Sequence, residues 1–69
     1  MTGPGARFGV TAIKEGFIKK DQLLEAIGIQ IEDELEGMEI RLIGSILYGM
    51  NYLTLEQINE VLNIMSKEG

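Results

Sequence analysis

The side chains of this chain that could do chemistry are carboxylates and a few cations, because histidine and cysteine are both absent. Without imidazole the commonest general base and transition-metal ligand are missing. Without thiols neither a disulfide nor a thiolate metal site can form. The densest set of oxygen ligands is Glu32, Asp33, Glu34, Glu36 and Glu39. A calcium loop needs alternating oxygen ligands around a central glycine. These carboxylates sit on a helical pattern instead, which makes them a solvated acidic face. Glu25 and Glu60 recur at one repeat position, yet neither has a nucleophile beside it to activate. The expectation is a protein that is not an enzyme, with no catalytic residue, no metal site and no cofactor.

Charge narrows the partners. Residues 1–20 carry Arg7, Lys14, Lys19 and Lys20 against Glu15, a balance of +3; residues 21–69 carry ten acidic residues against Arg41 and Lys67, a balance of −8. A nucleic-acid binder needs a basic face to release counterions from phosphates, and most of this chain opposes that. No apolar run is long enough to span a bilayer and no signal-peptide core opens the chain, so neither nucleic acid nor membrane insertion is expected, and the expected compartment is the cytoplasm. At 69 residues, one domain with a small core is the limit. A hydrophobic share of 45% is high for that length, so some apolar surface should meet a partner.

The elements that carry these residues are duplicated. Displacing the chain by 35 residues aligns Gly9 with Gly44, Gln22 with Gln57, Glu25 with Glu60 and Ile29 with Ile64. Phe17 meets Tyr52, Ile18 meets Leu53 and Leu23 meets Ile58 in the same register. Each unit reads as a short helix, a tight turn and a longer helix. Gly16 and Asn51 share the turn position, and they are the two residue types best suited to the left-handed backbone that ends a helix. Thr54 and Gln57 have the spacing of a capping box, whereas the first copy places Lys19 at that cap. Ile58, Val61, Leu62 and Met65 form one apolar stripe; Leu23, Ile27, Ile31 and Leu35 form the other, with Leu24 alongside.

The periodicity predicts helices at 8–15, 19–36, 42–50 and 54–66, after a flexible lead at 1–6. The single domain at 7–69 comprises repeat one at 7–36, a linker at 37–41 and repeat two at 42–66. Neither unit can bury its apolar face alone, so the expected fold is all-α: two tandem helix–turn–helix repeats packed as a small four-helix domain. Gly9 and Gly44 are read as sites of close helix approach, Arg7 and Arg41 as surface residues, and Met38, Tyr48, Met50 and Met65 as core or interface filler.

The first copy, with Arg7-Phe8-Gly9, Gly16-Phe17-Ile18, Leu23, Ala26-Ile27 and Gln30, resembles the motif found in tandem in the N-terminal domains of bacterial type II secretion and type IV pilus assembly ATPases. In that family the paired motifs bind cyclic di-GMP. The resemblance implies paired helices across residues 7–65 and a ligand site at Arg7, Phe8, Gly9, Leu23, Ile27 and Gln30. There Arg7 would meet guanine and phosphate, Gly9 would admit the ligand to the backbone, Leu23 and Ile27 would form an apolar bed, and Gln30 would hydrogen-bond. The second copy departs from the motif, with Leu42 at the arginine position and Met65 at the glutamine. The leading expectation is therefore a helical interaction module that docks onto a partner protein or onto itself. The alternative is a cyclic di-GMP receptor, or a decayed relative of one, using the first repeat.

Overall fold

The computed structural model describes residues 4–39 and 41–68. Four helices run in order: α1 (Pro4–Lys14), α2 (Lys20–Leu35), α3 (Ile43–Gly49) and α4 (Leu55–Glu68), with no strand among the described residues. The all-α four-helix fold is thus the observed one. Helix α1 starts four residues before the expected Phe8, so residues 4–6 of the expected lead are helical. Proline at the first helical position explains this start: its ring presets φ, and the N–H it lacks would have had no helical partner. Residues 1–3 of that lead, and residue 40 of the linker, lie outside the described residues.

The turns repeat with the sequence. Phe17 N–H donates to the Ala12 carbonyl at 3.0 Å, and Tyr52 N–H to that of Leu47 at 2.9 Å. One residue earlier, Gly16 bonds Ile13 and Asn51 bonds Tyr48. This paired closure requires a left-handed residue at its pivot. Gly16 has φ +80° and Asn51 has φ +65°, and Asn51 is the one described non-glycine residue with positive φ. Gly37, φ +73°, ends α2 in the same way, with Met38 bonding Asp33 at 2.8 Å.

Caps separate the copies. Thr54 N–H donates to Gln57 Oε1 at 3.0 Å while Gln57 N–H donates to Thr54 Oγ1 at 3.1 Å, closing both halves of the box. At the start of α2 only the first half exists, Lys19 N–H to Gln22 Oε1 at 2.8 Å. A lysine ammonium accepts nothing, so it cannot close the other.

The closest helix pairs are α1 with α4, α2 with α3, and α1 with α3; the two helices of one copy approach each other less. Exchanging the copies converts the first pair into the second and leaves the third in place. Each short helix therefore packs on the long helix of the other copy, and the core belongs to neither unit alone. Aligned core positions differ in size: Ala12 opposite Leu47 in the alignment, and Ala26 opposite Val61, all fully buried. Small residues in copy one leave room for larger ones in copy two, which fills the interior without overlap. Burying Leu47 and its like contributes about 1.5–3 kcal/mol apiece.

Candidate interaction surface

An open apolar groove of about 520 Å³ lies along α3 and α4. Leu42, Ser45 and Tyr48 form one wall, Leu55, Leu62 and Met65 the other, and Phe8 from α1 and Gln30 from α2 reach it from the first copy. Leu42, Tyr48, Leu55 and Leu62 are exposed, the first by 75%. Local sequence explains why the walls are uncharged. No charged residue occurs between Arg41 and Glu56, in a chain whose charged share is 25%. On α4 the exposed neighbours along one flank of the apolar stripe are Asn59 and Ser66, and the one carboxylate beside the other flank, Glu68, stands at the end of the helix.

The six residues that the resemblance singles out do not form an open site together. Phe8, Gly9 and Leu23 are buried, and Ile27 is half-buried. A methyl group on Gly9 would overlap both Leu23 Cδ atoms and stand 3.0 Å from its Cγ, so that leucine seals the first copy. Arg7 is exposed and faces Glu68 at 3.8 Å, a contact too solvated to contribute much. Gln30 is half-buried, and its Nε2 donates to the Arg41 carbonyl at 2.7 Å. Their aligned counterparts in the second copy are Leu42, Ile43, Gly44, Ile58, Leu62 and Met65, and every one of these lines the groove. The repeat thus brings the motif positions together, in the copy where they are apolar.

Two polar contacts correct or extend the sequence reading. Asp33, expected on a solvated acidic face, is 5% exposed. Arg41 Nε donates to its Oδ2 at 3.0 Å and Nη2 to its Oδ1 at 3.3 Å. This two-pronged bond, then the attraction between the charges, holds the Arg41 guanidinium pKa above its ordinary value. The signal was present in the spacing. Asp33 lies three residues after Gln30 and seven after Ala26, on the inward face of α2. Arg41, expected as a surface residue, keeps that exposure but ties the linker to α2. Tyr52 O–H donates to Glu25 Oε1 at 2.9 Å. That bond, then partial desolvation, then the charges of Glu25 and Asp21, raise the phenol's pKa. Sequence alone offered no sign of it, because the two residues are 27 positions apart.

No group of three or more metal-ligating side chains converges among the described residues, and none of the described helices is long and apolar enough to cross a membrane. No protein-family model, curated protein or solved structure matches the chain.

Proposed function

We propose that this chain is a non-catalytic cytoplasmic interaction module that associates with a second copy of itself through the groove between α3 and α4. The observation that carries the reading is the charge-free, apolar character of that groove in a chain of net charge −5. Two such chains repel at long range. The face on which they can approach at least cost is the one without charges, and depletion of charge with enrichment of apolar area typifies the centre of homodimer interfaces. Exposed leucines at 42, 55 and 62 gain by losing water there, in proportion to the area covered. The absence of histidine and cysteine supports the non-catalytic part of the reading.

Sedimentation velocity over a wide concentration range tests this, with and without cyclic di-GMP. The expected result is a reversible dimer that Leu62→Glu abolishes with little change in melting temperature, since that side chain is exposed. A monomer at all concentrations, or a dimer indifferent to Leu62→Glu, overturns the proposal. A cyclic di-GMP response removed by Arg7→Ala would replace it with the receptor reading.

A further inference from the structure

Apart from Val10, the large apolar side chains exposed among the described residues fall on two surfaces. One set belongs to the groove. The other lies on α2 and its end: Leu24 at 56% exposure, Ile31 at 46% and Leu35 at 81%, with Met38 just past the helix. The sequence stripe had assigned Ile31 and Leu35 to the core, and the structure turns them to solvent. With 100° of rotation per residue, Leu24, Gly28, Ile31 and Leu35 fall on one seam at spacings of four, three and four. That seam lies roughly 130° around the helix from Gln30, so it is separate from the groove. Around Gly28 no atom beyond its own stretch of helix backbone and its chain neighbours stands within 4 Å of where a Cβ would be. The seam is therefore open between Leu24 and Ile31, with room for a side chain from a partner helix to lie against it.

Charge states which partner fits. Asp21, Glu25 and Glu32 border one side of the seam and Glu34 the other, with Lys20 at its N-terminal end, all exposed, so carboxylates outnumber the one cation four to one. Pairing this seam with itself would set carboxylates against carboxylates, which is unfavourable at neutral pH. We infer that the outer face of α2 docks an amphipathic helix of a partner protein, one with an apolar seam flanked by lysine or arginine. Apolar contact supplies the affinity, and the basic flanks select the partner and speed encounter. This surface is independent of the self-association groove.

Two synthetic helical peptides with the same leucine seam test the inference, one flanked by lysines and the other by glutamates. Each is titrated into the Leu62→Glu chain with amide chemical shifts as the readout. The lysine peptide should bind about tenfold or more tighter, and salt raised to about 0.5 M should erase most of that margin. Shifts should centre on Leu24, Gly28, Ile31 and Leu35. Ile31→Ser combined with Leu35→Ser should remove binding while the melting temperature holds, since both side chains are exposed. Equal affinities for the two peptides overturn the inference. So do shifts centred on α3 and α4, or no binding of either peptide at millimolar concentration.

Discussion

The two copies share turns, helix order and backbone hydrogen bonds, yet the first is closed over its motif positions and the second is open. In copy one Leu23 presses on Gly9 so closely that no methyl group would fit. In copy two the nearest atoms to a Cβ on Gly44 belong to Phe8 of the other copy, at 3.1 Å, and not to Ile58, the counterpart of Leu23. The rim changes in step. Arg7, Lys20 and Gln30 become Leu42, Leu55 and Met65, three polar residues exchanged for apolar ones at positions that border the groove. Duplication preserved what the backbone demands and released what the surface does. On the self-association proposed above, the closed copy stabilises the domain and the apolar surface of the open copy supplies the driving force for pairing.

The largest expected effect breaks the seal. Gly9→Ala sets a methyl group against buried Leu23, and the overpacking should outweigh the gain in helix propensity, for a net loss of about 1–2 kcal/mol. Gly44→Ala meets only the edge of the Phe8 ring, so its loss should be about 0.5 kcal/mol or less, or a small gain. Denaturant midpoints of the two variants measure the asymmetry, and equal losses would mean the copies are packed alike.

Next in size is the difference between the caps. Thr54→Ala should cost about 1 kcal/mol by leaving the Gln57 N–H without its acceptor. Lys19→Thr installs the missing half of the box in copy one and should stabilise by about 0.5–1 kcal/mol. Thermal melts of the two single variants and the pair decide whether the helix starts differ for this reason.

The smallest effect sharpens a single-atom difference, the phenol oxygen that Tyr52 has and Phe17 lacks. Its raised pKa means that folding favours the protonated phenol. The associated stability is complete below the ordinary tyrosine range and is lost as pH climbs from that range through the raised folded value. In a Tyr48→Phe background, absorbance titration of Tyr52 should shift to lower pH on Glu25→Ala. An unmoved titration would mean that the 2.9 Å bond does not persist in solution.

Much of this architecture was legible because it depends on residues within a few positions of one another. Asn51 in place of Gly16 announces a left-handed turn, since the alternatives at that φ are sterically costly. Thr54 and Gln57 announce a cap, because both bonds close within one helical turn. The 35-residue register and the four helices follow from the same short-range rules. Helix α1 alone outran its expected start, through Pro4, a residue more often met as a helix breaker. The candidate ligand positions of copy one do not form an open site; their counterparts in copy two line one groove.

What tertiary structure decided is which apolar and charged faces are covered. Ile31 and Leu35 look like the continuation of a buried stripe, but a row of four-residue steps turns about 40° further around the helix at each step, so from buried Leu23 it has reached the outer face by Ile31 and Leu35. Asp33, between them on the inward face, is buried, so what exposes the two apolar residues is the face they stand on and not the length of α2. Asp33 looks like one more solvated carboxylate until the linker returns and sets Arg41 beside it. Burial depends on a neighbour far along the chain, so periodicity along one helix states that a face is apolar and leaves open what will cover it.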